Sequence, residues 1–366
     1  MRILFFFVHP SKYHVFKHTI NALKEKGHRV DITITSKDVL EELVRNEGWE
    51  YTNIFPEGRK IEGIPTKLGA AINLFKTIYR LDRFTRGKEY DLFITDDLLV
   101  CNGKFRKTPA ILFQDDDISA VPETALLLSM ATHVLSPRCT KMGRYSYKKI
   151  GFDSYKELAY LHPNNFSPDY NVVLAFNPNR ERYFIIRLVV LKSVNDVGKL
   201  GIADKNIVRL LKLLQDFGRV YISSERGLPN SLEKYRLNIK PNDIAHALYY
   251  ADLFISDSQT MSSEASVLGT PAFRLNDFVG EISVMEEKEK RYNLCFGYRT
   301  GQFDKMYEKI EKMLNYPNMR GSFERRRRKM LTEKIDLTQF LIWFAECYPK
   351  SSQIMVSNPD YQVRFK

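Results

Sequence analysis

The stretch ISDSQTMSSEASVLGTP, residues 255–271, reads as the end of an apolar strand (251–256), a short polar turn, and a helix that stops at Gly269 just ahead of Pro271. On that helix Met261, Glu264, Ala265 and Leu268 fall at i, i+3, i+4 and i+7, one face of a 3.6-residue period. Three of the four are apolar or small, so the face is expected to turn inward and to carry the Glu264 carboxylate with it. A carboxylate taken out of water needs a strong donor. Ahead of it, Ser258, Gln259, Thr260 and Met261 occupy the first turn, where unpaired amides and the helix dipole favour an anion. A phosphate at the helix start and, one turn on, an acid able to hold two hydroxyls suit a nucleotide, diphosphate plus ribose. The same residues also read as a plain strand–helix turn in which Glu264 caps neighbouring amides, and spacing alone does not separate the two.

Outward from this stretch the chain alternates strands and helices. Apolar runs at 3–8, 30–35, 51–55, 91–95, 110–113 and 133–136 are separated by helical patterns, including one through Val39, Leu40, Leu43 and Val44 and a long one through Ile72, Phe75 and Ile78. After the Pro- and Asn-rich segments His162-Pro-Asn-Asn-Phe-Ser-Pro-Asp169 and Asn177-Pro-Asn-Arg180, a second series begins with a strand at 183–191, and 172–176 is expected as a strand inside the linker. This rhythm predicts parallel sheets with helices on both faces, repeated in two doubly wound domains. The expected boundaries are 1–165 and 175–334, with a late aromatic-rich helix at 335–350.

Length supports two cores: 366 residues, 44% hydrophobic and 27% charged, is an ordinary globular balance. The formal charge of +12 suits phosphorylated small molecules, polyanions or an anionic membrane surface. Nucleic acid is disfavoured, because the basic residues are dispersed and the densest run, Glu324-Arg-Arg-Arg-Arg-Lys329, has no interleaved aromatics. Four cysteines without pairing or metal-ligand spacing fit a reducing compartment, and no segment approaches a membrane span or a signal-peptide core, so a cytoplasmic location is expected.

In open parallel sheets ligands bind beyond the carboxyl ends of the strands, so polar residues just after each apolar run carry the chemistry. There stand His9 to His14, Asp96-Asp97, Gln114-Asp-Asp-Asp117, Lys192 to Asp196, Ser223-Ser224-Glu225 and Asp257 to Thr260. His14 is the general-base candidate, set against a role capping the first helix. His14 and His18 are four apart but lack the accompanying glutamate of a zinc motif. Asp115 and Asp117 are spaced to share a divalent cation, yet one functional acid beside two solvated ones is the preferred reading, and no metal is expected. Arg187, mid-strand, and Arg274 each require an anion, either a structural carboxylate or a substrate phosphate.

HPSKYHVFKHTINALKEKGHRVDITITSK at 9–37, RYFIIRLVVLKSVNDVGK at 182–199, ADLFISDSQTMSSEASVLGTPAFRLNDFVG at 251–280 and KIDLTQFLIWFAECYP at 334–349 together resemble one prokaryotic family. That family is known by number only, as a domain of unknown function, and is grouped with GT-B glycosyltransferases and UDP-N-acetylglucosamine 2-epimerases. The resemblance implies two Rossmann-like domains facing a central cleft, with the last helix crossing back to the first domain. It implies a nucleotide held at Ser258, Gln259, Thr260 and Glu264, and an acceptor facing the loop that leads to His14. Members often carry a His-Asp pair where this chain has Asn195-Asp196.

The expectation is therefore a metal-independent glycosyltransferase using a nucleotide-diphosphate sugar, with no cofactor and a glycan or lipid-linked acceptor, in cell-surface polysaccharide synthesis. His14, Asp97, Asp115 and Asp117 are the catalytic candidates. Arg187, Ser224, Asn195 and Asp196 join residues 258–261 and Glu264 around the donor. Epimerisation or hydrolysis of the same donor, using Asp96, Asp115 and Asp117, is the rival enzyme reading. A non-catalytic nucleotide-sugar binder is the alternative of another class.

Overall fold

The computed structural model describes residues 1–36, 39–59, 66–190 and 201–366. The chain divides into two compact units, Met1–Tyr160 with Lys334–Lys366, and Leu161–Glu333. In chain order the first stretch forms β1 (Arg2–Phe7), α1 (Pro10–Glu25), β2 (Arg29–Ile34), α2 (Leu40–Asn46), β3 (Thr52–Asn53), α3 (Thr66–Thr85), β4 (Leu92–Thr95), α4 (Leu99–Arg106), β5 (Ala110–Phe113), α5 (Ala125–Met130), β6 (His133–Pro137), β7 (Lys149–Phe152) and the short α6 (Leu158–Leu161). Its seven strands order as β3-β2-β1-β4-β5-β6-β7, and every pairing is parallel.

β1 shows why the sheet is covered on both sides. Its residues 3–7 are all fully buried. Ile3, Phe5 and Phe7 join one apolar cluster and Leu4 and Phe6 the other, as the two-residue period of a strand requires.

The second unit carries α7 (Tyr170–Leu174), β8 (Tyr183–Leu188), α8 (Asp204–Gln215), β9 (Arg219–Ser224), α9 (Asn230–Glu233), α10 (Ile244–Tyr250), β10 (Leu253–Ser256), α11 (Gln259–Leu268), β11 (Ala272–Leu275), α12 (Ser283–Lys290), β12 (Cys295–Tyr298), α13 (Phe303–Leu314) and α14 (Met319–Glu333). Its five parallel strands order as β12-β11-β10-β8-β9. From Lys334 the chain belongs to the first unit again, with α15 (Leu337–Glu346) and α16 (Lys350–Ser357). In both sheets the strand order reverses once, beside β1 in the first and beside β8 in the second. A crevice between carboxyl ends opens at such a point: between β1 and β4 in one unit, between β8 and β10 in the other.

Several expectations are corrected. The 172–176 run is not a strand: Asp169 accepts from the Asn171 amide and caps α7, and this local cap overrides the strand preference of the paired valines. The strand at 51–55 shortens to two residues, and that at 183–191 ends at Leu188, with Leu191 outside the described residues. Phe75 does not line the inner face of α3. It is 71% exposed, while Leu74, Ile78 and Leu81 face the core. The edge strands β7 and β12, four residues each, carry too few apolar residues to stand out in the sequence.

Phe340 on α15 is fully buried, with its ring against Phe152, Trp343, Phe344 and Phe365. Phe340→Ala is expected to destabilise the first unit by about 3–5 kcal/mol, measured as a fall in its denaturant midpoint.

Candidate functional site

At the β8/β10 crevice, Ser256 lies in register with Arg187, so the turn after β10 begins beside the end of β8. Ser258 is the N-cap of α11, with extended backbone, and its Oγ accepts from the Met261 amide at 3.3 Å. Its own amide donates to Ser256 Oγ at 2.7 Å. The Gln259 and Thr260 amides have no carbonyl one turn back within the helix, which leaves them directed out of its N-terminus.

Asp257 is buried and structural: it accepts from Val189 N at 2.8 Å and Ile202 N at 3.3 Å, tying the exit of β8 to the turn. Burial pushes its pKa up, and those amides oppose the rise. Gly269 ends the helix in the left-handed region, where a side chain would be strained.

The expected inward face of α11 holds only in its later turns. Ala265 and Leu268 are buried, but Met261 and Glu264 are half-buried at the rim. Ser262, Ser263, Ser266 and Val267 are buried as well, because α11 lies against β10, β11, α10 and α14 and is covered on more than one side. Arg187 donates through Nη1 to Ser223 Oγ at 2.7 Å and pairs with Glu225 through Nη2, so its anion is a structural carboxylate. Its Nε has no partner among the described residues. Ser224 closes its own turn, donating to the Arg226 carbonyl at 2.8 Å and accepting from the Arg226 amide at 3.2 Å. Arg274 meets no carboxylate at ion-pair distance among the described residues and donates instead to Gln259. Lys192, Asn195 and Asp196 lie outside the described residues.

At the β1/β4 crevice of the first unit, the aspartate run sorts by partner. Asp115, at the end of β5, is buried between Lys12 Nζ and Lys156 Nζ, each 2.6 Å away. Burial opposes its charge, but the two ammonium groups win and hold its pKa far below the usual carboxylate range. Both of its oxygens are engaged by lysines, so it is not the free catalytic acid expected of it. Asp117, also a catalytic candidate, is buried, accepts from the Lys141 amide at 2.8 Å and braces the following loop. Asp97 is also engaged, with Arg59 Nη1 at 3.0 Å and the Leu98 amide at 2.5 Å.

Two further acids at this edge, Asp96 of the rival epimerase reading and Asp116 of the 115–117 run, behave differently. Asp96 is half-buried, its Oδ1 has no partner among the described residues, and burial pushes its pKa up to about 7, aided by Asp97 and opposed by Lys12. Asp116 is pushed up to about 6 by burial and by the fixed charge of Asp115 next to it. What sets these two acids apart is burial, and no one-dimensional signal carries that.

His14 sits on the second turn of α1, not in a loop, with Tyr13 and Tyr160 rings 5.0 and 5.1 Å from its own. Burial, with Lys17 nearby, lowers its pKa to about 4, so it is neutral at pH 7 and a weak base. The cap of α1 is His9, which accepts from Ser11 N at 3.1 Å.

A hollow of about 360 Å³ lies at the other end of the second sheet, by residues 251–252 and 270–271 ahead of β10 and β11. Its Arg320 donates to the Tyr249 and Tyr250 carbonyls at 3.2 and 3.4 Å, and Arg327 to Val267 O at 3.0 Å. These cations satisfy helix C-termini, so the chemistry remains at the carboxyl edges.

The chain matches no protein-family model and no curated protein sequence. Among solved structures it is similar to the UDP-GlcNAc 2-epimerase from Neisseria meningitidis bound to UDP-GlcNAc, at 14% identity and a TM-score of 0.65, covering 98% of this chain and 99% of that one. It is also similar to the Acinetobacter baumannii MurG, at 15% identity, TM-score 0.58 and coverage of 94% and 99%. A third is the glycotransferase of kitacinnamycin, at 12% identity, TM-score 0.59 and coverage of 95% and 99%. At these identities the shared property is the fold: two Rossmann-like parallel α/β domains of the GT-B kind.

Two outcomes follow from the acids. Asp115→Asn leaves two ammonium groups buried without an anion and is expected to cost about 3–5 kcal/mol, read by chemical denaturation. Asp96 has a raised pKa, so its protonated form stabilises the fold at acid pH, and that contribution is lost as pH rises from about 4 to about 7. Asp96→Asn is therefore expected to gain thermal stability relative to the parent progressively between these values, measured by melting at pH 5 and pH 8.

Proposed function

We propose that the chain is a GT-B-type enzyme acting on a nucleotide-diphosphate sugar, and that its reaction is glycosyl transfer to a hydroxyl acceptor. The observation that carries this reading is the α11 N-terminus, its Gln259 and Thr260 amides directed into the β8/β10 crevice with half-buried Glu264 one turn behind. The donor diphosphate takes those amides and the helix dipole, and Glu264 takes the ribose hydroxyls. Arg187 adds positive potential beside the turn through its unused Nε.

Transfer moves one proton and exchanges one bond. Asp96, or Asp116, accepts the proton of the acceptor hydroxyl. The acceptor oxygen bonds to the anomeric carbon as the sugar–phosphate bond breaks, and the diphosphate leaves with the negative charge against the helix N-terminus. A carboxyl with a pKa near 7 is partly ionised at neutral pH and a far better base than one near 4. His14, neutral and flanked by two tyrosines, serves better as an acceptor-side contact than as the base. The +12 charge suits a lipid-linked acceptor at an anionic inner membrane face and a place in cell-surface glycan synthesis.

One observation favours a second reading. Two carboxyls with raised pKa at one edge, Asp96 and Asp116, can act as an acid–base pair, and elimination and re-addition on the donor sugar needs such a pair. Incubation with a panel of nucleotide sugars, with and without glycan and lipid-linked acceptors, separates the two. Nucleotide release that depends on acceptor supports transfer; a changed sugar without acceptor supports epimerisation. Neither binding nor release across the panel would sink both. Glu264→Gln is expected to weaken nucleotide binding about tenfold, roughly 1.4 kcal/mol, by calorimetry. Asp96→Asn is expected to lower kcat about 10²–10⁴-fold with little change in KM.

A further inference from the structure

Arg274 stands in the middle of β11, between Ser256 of β10 and Gly297 of β12, and is 1% exposed. Its strand neighbours Ala272, Phe273 and Leu275 are buried apolar residues, so an arginine is out of keeping with the position. Its guanidinium donates once, through Nη1 to Gln259 Oε1. Nε and Nη2 have no acceptor among the described residues. Burial pulls the arginine's pKa down, and the fields of Cys295, Glu289 and Glu286 only offset this. The nearest of those carboxylates, Glu289, spends itself on the Gly297 amide at 3.0 Å. Room for the guanidinium depends on Gly297: a Cβ there would come within 2.9 Å of Arg274 Nη2.

Gln259 is the first residue of α11. Because a guanidinium only donates, the oxygen of the Gln259 amide faces Arg274 and its Nε2 is left as a donor, also without an acceptor among the described residues. A buried cation with no carboxylate at ion-pair distance among the described residues thus stands behind the helix N-terminus and is coupled to it through one amide side chain.

We propose that Arg274 is the fixed positive charge of the α11 anion site, acting through Gln259 as a positioning residue. It makes the site select an anion of more than one charge, a diphosphate or pyrophosphate, over a monophosphate. This rests on the reading of the α11 N-terminus as the diphosphate site. In a weakly polar interior the attraction of a buried cation grows with the ligand's charge, and an arriving dianion supplies the counter-charge that the fold omits.

Two substitutions test it in the full chain. Gln259→Glu gives Arg274 a carboxylate partner and places a negative charge at the helix start. Melting temperature should hold or rise while affinity for inorganic pyrophosphate falls at least tenfold. Arg274→Met replaces the charge by an apolar side chain, and the preference for nucleoside diphosphate over monophosphate should shrink at least tenfold, with the fold checked by circular dichroism. If both variants keep the parent's affinity and its diphosphate preference, the role of Arg274 is overturned while the nucleotide reading stands. If the parent itself binds neither pyrophosphate nor any nucleoside diphosphate, both are overturned together.

Discussion

Two ammonium groups closing on one carboxylate fix the carboxyl edge of the first sheet. Lys12 comes from the start of α1, Lys156 from the segment after β7, and Asp115 from the end of β5, so three distant stretches meet at one buried charge. One carboxylate balances only one of the two ammonium charges, and Lys156 also lies in the fields of Glu157 and Asp116. Burial first, and then the fixed anion of Asp115 beside it, make ionisation of Asp116 costly, against the pull of the two lysines, so Asp116 retains its proton to higher pH.

The α11 start, proposed above as the anion site of the second unit, is built by other means. There the charge is delivered by backbone: a capped helix start, a buried aspartate tying two amides, and a strand order that parts beside β8. Side chains with full charge are held back, Arg187 by Glu225 and Arg274 beneath the helix start. Preorganised amides of this kind need little rearrangement when an anion arrives.

The alternation of apolar runs and helical patterns was sufficient for the two parallel sheets, because buried parallel strands write themselves as short continuous apolar segments. Legibility fell where local and tertiary forces compete. Val172 and Val173 suggest a strand, yet one aspartate cap turns them into a helix. Phe75 suggests a core face and is solvent-facing. Around the strand ends, the acids named from the sequence do gather at the carboxyl edge, and the structure divides them by partner. Asp115, Asp116 and Asp117 are identical letters, and what separates them is the company of Lys12, Lys156 and Lys141, contributed from elsewhere in the chain. Arg274 was legible as a residue in need of an anion; that it would meet a glutamine was not.

The first unit is assembled from two separated pieces of chain, with the whole second unit spelled out between them. Phe340, Leu341 and Phe344 of α15 fill the same cluster as Ile3 and Phe5 of β1. Helices α1 and α2 cover part of that face early, but a ribosome making this protein exposes the part that α15 fills long before α15 exists. At about 5–20 residues per second the interval lasts on the order of ten to thirty seconds. During that time the nascent sheet shows bare aromatic surface to the cell, while the unit encoded in between can already finish folding.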